Sequence, residues 1–90
     1  MAELAIDREA CWAGLYEMSP DKHAILGATS ACPNLYCING SSGHGVMHSP
    51  ALGQLLAELI CEGRARTLDV GCLAPDRFER GALLPVAELL

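Results

Sequence analysis

A 90-residue chain with 11 acidic and 6 basic side chains, a formal net charge of −5, repels a phosphate backbone and has no basic cluster to offset that, which argues against nucleic-acid binding. So short a chain makes one small domain with a thin core, yet 51% of it is hydrophobic and its mean hydropathy is +0.25; such apolar surface is meant for burial against something outside these residues. The most apolar stretch, Ala51 to Cys61, is broken by Gly53, Gln54 and Glu58 and is far short of the roughly 20 residues that cross a bilayer.

The start, Met-Ala-Glu-Leu-Ala-Ile-Asp, lacks the basic opening and apolar run of a secretory signal, so a cytoplasmic location is expected. The run from Cys11 to Met18 reads as a strand, ended by Ser19-Pro20-Asp21-Lys22, where proline and aspartate favour a turn. A short second strand, His23 to Leu26, is expected to return beside it, with Gly27 to Pro33 as loop. Leu35-Tyr36-Cys37-Ile38 is a brief apolar run of the kind buried on both faces of a sheet. It stops at Asn39-Gly40-Ser41-Ser42-Gly43-His44-Gly45, whose glycines allow positive φ and close backbone approach. In the helix that follows, Leu52, Leu55, Leu56, Leu59 and Ile60 recur at helical spacing and should be core. Gln54, Glu58 and Glu62 line the other face, and Gly63 supplies a stop. Ser49-Pro50 suits an N-cap and first helical residue, with an earlier start near Val46 as the alternative. Thr67 to Val70 reads as a short strand and Asp76 to Gly81 as a helical turn, while Asp21 and Asp69 look like turn and solvent residues. The five cysteines, 11, 32, 37, 61 and 72, show no Cys-x-x-Cys spacing and read as reduced, mostly buried thiols.

Strand, glycine loop and helix together form a physical arrangement for holding an anion or the polar edge of a heterocycle, because free N–H groups and the positive helix end converge there. Gly43-His44-Gly45-Val46-Met47-His48 lacks the last glycine of a dinucleotide fingerprint. Gly40-Ser41-Ser42-Gly43-His44 lacks the last glycine of a nucleophile elbow. His44 and His48, four apart, are a candidate metal pair, but no glutamate follows His44 as a metalloprotease helix requires, and no metal is expected.

Trp12-Ala13-Gly14-Leu15-Tyr16, Ser19-Pro20-Asp21, Ile25-Leu26-Gly27, Asn34-Leu35-Tyr36 leading into Gly40 to Gly45 with Pro50, and Leu68-Asp69 followed by Arg77-Phe78 occur in that order. In this the chain resembles the closing segment of the D-amino-acid-oxidase-like FAD-dependent oxidoreductases, the family of sarcosine, dimethylglycine and glycine oxidising enzymes, over residues 11–80. The resemblance implies a partial α/β flavoprotein fold. Residues 1–33 would end the substrate-domain strands, 34–63 would complete the FAD-binding domain with strand, glycine loop and helix, and 64–90 would be a C-terminal tail. The N-terminal βαβ unit that grips the pyrophosphate is expected to be missing, so FAD would be held non-covalently and only with that missing part or a partner polypeptide.

In the family the glycine loop meets the pyrimidine edge of the flavin ring. The resemblance therefore implies Gly43 and Gly45 as spacing residues there, His44, Val46 and Met47 as contacts, and Gly14 beside the cofactor, at the position where some sarcosine oxidases attach flavin through cysteine. Tyr16 would face the substrate or be an ordinary strand residue, His44 would face the substrate, Trp12 would pack, and His48 would face solvent or a helix neighbour. Tyr16 stands where glycine and D-amino-acid oxidases place a carboxylate-binding arginine, and Met47 where sarcosine oxidases place a lysine, so neither anchor is present. The implied activity of a parent enzyme is oxidation of the C–N bond of an amino acid or secondary amine by hydride transfer to flavin, with no catalytic side chain assigned here and the isolated chain inactive. The alternative is a non-catalytic remnant or the partner-binding subunit of a split flavoenzyme.

Overall fold

Antiparallel pairing organises the middle of the chain in the computed structural model, which describes residues 4–86. Strand β1 (Ile25–Ala28) runs against β2 (Tyr36–Asn39), with Ile25 opposite Asn39 and Ala28 opposite Tyr36. Thr29 N donates to Leu35 O at 2.9 Å, and the reversal uses Asn34 at φ 63°, a left-handed conformation that asparagine tolerates better than most residues. Strand β1 therefore begins two residues later than its apolar pattern implies, and takes Gly27 and Ala28 out of the expected loop. Its partner is the strand that follows it, not the segment before it.

Cys11 to Met18 is not a strand. Its bridge is the single pair Met18–Ser41, and a strand exists only through its partner's hydrogen bonds. Trp12, at 86% exposure, does not pack as expected, and its ring lies only over its own chain at Gly14. Strand β2 is also not buried on both faces: Tyr36 and Cys37 are half-buried while Ile38 and Asn39 are exposed, and the core draws on β1, not on β2.

Helix α1 (Gly45–Glu62) takes the earlier of the two expected starts. Pro50 then lies inside it and cannot donate to the carbonyl of Val46; the Ser49 hydroxyl does so instead, at 3.3 Å. Gly63 at φ 78° closes the helix with its N–H on Leu59 O, the left-handed cap that glycine forms without strain. Leu52 and Leu55 from α1 meet Leu26 and Val70 in the core, flanked by Leu56, Leu59 and Leu73. Ile60, expected in the stripe, is half exposed.

Glu58, on the polar side of the stripe, is nevertheless buried. Its carboxylate accepts from the Arg66 and Thr67 amides at 2.6 and 2.8 Å and from the Thr67 hydroxyl at 2.6 Å, which bends 64–70 back onto α1 where a strand was expected. Those bonds, the Thr67 hydroxyl foremost, lower its pKa to about 2. A depressed carboxylate pKa contributes stability that is complete above about pH 4.5 and lost as pH falls through about 2. Glu58→Gln should therefore be less stable than wild type at neutral pH, with the two converging toward pH 2. Helix ellipticity followed across an acid titration checks this, and parallel curves would refute it.

The expected turn near 76–81 is helix α2 (Arg77–Arg80), ended by Gly81 at φ 69°. Asp21, read from the sequence as a solvent residue, is completely enclosed and faces an equally enclosed Arg77. The guanidinium forks onto the carboxylate, Nε to Oδ2 and Nη2 to Oδ1, both at 2.8 Å. The same carboxylate also accepts from the Ser19 hydroxyl and the His23 and Leu84 amides. Arg77 Nη1 donates to Leu73 O at 2.6 Å and Nη2 to His23 O at 3.0 Å, so every polar atom of the pair is satisfied. Arg77 first, then the other donors, holds the Asp21 carboxyl well below the usual carboxylate range.

All five cysteines are free; only Cys37 is even half-buried, contrary to the expectation of mostly buried thiols. The body explains this, being 52 Å long with a radius of gyration of 17.0 Å, against about 12 Å for a compact domain of this length. It has too little interior to enclose them.

Candidate functional site

The glycine loop is built by close approach. A side chain at Gly40 (φ 66°) would meet Ser19 at 3.2 Å and Ile25 at 3.3 Å, so the loop leaves β2 pressed against the turn at Ser19. Ser42 follows in the left-handed region at φ 54°, uncommon for serine. Its buried hydroxyl donates to Gly40 O at 2.9 Å and accepts from Ser19 N at 3.1 Å, so it turns the backbone. Gly43, at φ 92°, lies under the ring of Tyr16, which a Cβ there would meet at 3.2 Å. His44 N then returns to Ser41 O at 3.0 Å, and α1 begins.

The start of α1 carries no side-chain cap from His44 and no acidic residue in its first turn. The first-turn amides of a helix have no intrahelical acceptor, and here the positive end carries no carboxylate from its own first turn, the nearest in the adjoining cleft being Glu17. Val46 is 93% exposed at this end and Met47 largely so. A cleft of about 270 Å³ lies on one side, lined by Tyr16, Glu17, Ser41, Gly43, Gly45 and Val46. A larger cavity, about 480 Å³, lies on the other, where His23, His44 and His48 stand above Leu52 and Leu73. Ser41 borders both, so the loop is a ridge between two hollows.

The structure thus brings Gly43, His44, Gly45, Val46 and Met47 together at one helix end and sets Tyr16 against them. It does not bring Gly14 to the loop: within 4 Å of a side chain there, only the Trp12 ring is met. His48 stacks on His44, ring centroids 5.7 Å apart, and is otherwise exposed, which is the neighbour its spacing implies. Among the described residues no group of three or more His, Cys, Asp or Glu could hold a metal ion. Glu17, beside Tyr16 in the cleft, was not singled out by any sequence pattern; its adjacency to Tyr16 was the available signal. No helix is long and apolar enough to cross a membrane, among the described residues.

An uncapped helix start beside an aromatic wall can meet the acceptors along the polar edge of a planar heterocycle, since its first-turn N–H groups have no acceptor within the helix. Comparison with known proteins gives the family. Residues 1–59 match the DAO family model, described as FAD dependent oxidoreductase. The FAD-dependent oxidoreductase domain-containing protein 1 homolog of Drosophila melanogaster is 46% identical over 68 residues, 74% of this chain and 13% of that protein. Its namesake in Mus musculus is 30% identical over 86 residues, 94% of this chain and 18% of that one. The crystal structure of L-proline dehydrogenase from P. horikoshii superposes with a TM-score of 0.76 at 42% identity, covering 81% of this chain and 19% of that one. The chain therefore spans under a fifth of the length of each of these proteins. With its fold, its loop and two-thirds of its sequence in agreement, the chain belongs to the DAO family of FAD-dependent oxidoreductases.

Proposed function

We propose that this chain forms the flavin-ring edge of an enzyme that oxidises the C–N bond of an amino acid or secondary amine. The carrying observation is the open, uncapped start of α1 behind Gly43, with no acidic residue in its first turn. Bound FAD would supply the hydride acceptor for that oxidation, in which the substrate C–H bond breaks as the nitrogen lone pair forms the C=N bond. The chain's own part is electrostatic and geometric. The amides of Gly45, Val46 and Met47 favour negative charge at the ring edge without having to reorganise. Gly43 lets the Tyr16 ring pack onto the loop and Gly45 lets Ser41 approach the helix start, and the Tyr16 ring forms one wall of the cleft on the substrate side. Gly14 offers no side chain for a covalent link at its position, which supports non-covalent binding, and the pyrophosphate grip comes from further polypeptide, in the same chain or a partner. Similarity to a proline dehydrogenase supports a C–N bond as the target.

A second reading, a partner-binding subunit with no catalysis of its own, is favoured by the exposure of Leu4, Ile6, Trp12 and Leu15. Purification from a flavin-replete host, alone and with an FAD-binding polypeptide encoded beside it, separates the two. A flavin absorption spectrum in the paired sample that bleaches anaerobically with an amine or amino acid is expected. Flavin that never bleaches would leave the binding subunit, and no flavin in either sample would sink the catalytic reading.

A further inference from the structure

Ser19, Asp21, Ser42 and Arg77 are as deeply enclosed as the hydrophobic core itself, and they form one unbroken line of hydrogen bonds. Arg77 forks onto Asp21 at 2.8 Å. Asp21 Oδ1 and His23 O share the proton of the Ser19 hydroxyl, at 3.1 and 2.6 Å, and Arg77 Nη2 grips the same His23 carbonyl. The Ser19 amide then donates to Ser42 Oγ, and Ser42 Oγ to Gly40 O. Enclosing two charges in so thin a core is expensive, and apolar side chains of equal volume often stabilise a fold as well or better. What the line supplies instead is direction. It terminates at a serine held at φ 54°, and left-handed backbone at a non-glycine residue persists only where its surroundings fix it.

We infer that Arg77 is a positioning residue for the glycine loop, acting through Asp21, Ser19 and Ser42 to fix where the loop and the first turn of α1 point. Nothing in the loop touches Arg77 directly; its hydrogen bonds are to Asp21, His23, Leu73 and Ala74. The consequence for flavin rests on the function proposed above, because the N–H groups so aimed are those assigned to the ring edge.

The test is a double-mutant cycle on the full chain, read by amide hydrogen exchange at His44 and His48, whose amides are bonded to Ser41 O and His44 O. Arg77→Lys keeps the charge but loses the fork, and should speed exchange at both amides about tenfold, the effect of about 1.4 kcal/mol of lost local stability. The amides of Leu59 and Ile60, far along α1, should stay within about twofold. Ser42→Ala should speed the same loop amides with the Arg77–Asp21 pair intact, and adding Arg77→Lys to it should change them little further. Uniform acceleration along the whole chain, no change at the loop, or full additivity would overturn the inference. Should Arg77→Lys unfold the chain, Asp21→Asn takes its place with the same expectations. In the flavin-loaded complex the same variants should move the flavin midpoint potential to more negative values, and loop amides that loosen with no shift in potential would overturn the link to flavin. A wild type that takes up no flavin would defeat the function proposed above, leaving the exchange cycle to decide the positioning role.

Discussion

Arg77→Met should lower the stability of the fold by about 3–5 kcal/mol, the usual loss when one partner of a buried ion pair is removed. The methionine would fill most of the space, but Asp21 would remain enclosed with its charge unmatched, the Leu73 carbonyl would lose the Arg77 donor, and the His23 carbonyl would keep only the Ser19 hydroxyl. The packing of the guanidinium over the Phe78 ring, 4.4 Å from its centroid, would go as well. A domain of this size has roughly 5–13 kcal/mol in total, so the variant should be near its limit at room temperature. Urea unfolding followed by helix ellipticity measures it. The pair's pH dependence has a definite sign: Asp21 is depressed by Arg77, so its contribution is complete above the ordinary aspartate pKa of about 3.9 and falls away in stronger acid. The variant should therefore lose less stability than wild type as pH is lowered. A loss under about 1 kcal/mol at neutral pH would show that the carboxylate is hydrated in solution and not enclosed.

Gly43→Val in the flavin-loaded enzyme should weaken flavin binding at least about tenfold, because two independent penalties coincide. The backbone at φ 92° is one that a β-branched residue adopts only with strain, and the added Cβ would stand 3.2 Å from the Tyr16 ring. The ring can move only by giving up the wall of the cleft. Tyr16→Ala combined with Gly43→Ala separates these penalties, since removing the ring restores space and leaves the backbone strain. Recovery of about half of the lost binding free energy would assign comparable weight to both. Flavin titration by absorbance provides the measurement, and unchanged affinity with an unchanged spectrum would count strongly against the loop as the ring edge.

Much of α1 and the loop was legible because local rules govern them. The leucine spacing set the buried face, Gly63 set the end, and of the loop's three glycines 40 and 43 have positive φ while Gly45 has helical backbone and starts α1. Ser49-Pro50 was ambiguous for a physical reason: the pair that makes a good helix start also works inside a helix, once the serine hydroxyl takes the carbonyl that proline leaves free. Cys11 to Met18 has the composition of a strand, but composition does not supply a partner edge. Asp21 and Arg77, 56 residues apart, carry no periodicity that could link them, and an aspartate after a proline reads as a turn whether or not an arginine later closes over it. Ser42 shows the same limit, since its left-handed backbone is held by Ser19, from a different segment.

The buried pair bears on where this unit of structure can be cut. The family match ends at residue 59, and the helix and loop that lie largely within it look self-sufficient in sequence. Yet the counter-charge for Asp21 comes from residue 77, and Leu84 also bonds to the same carboxylate. An expression boundary drawn at the end of the match, or at the Gly63 helix stop, would remove the arginine and the amide that close over Asp21, and with them one end of the hydrogen-bonded line that reaches the glycine loop. A boundary that keeps the loop's support therefore lies beyond Leu84, some 25 residues past the family match.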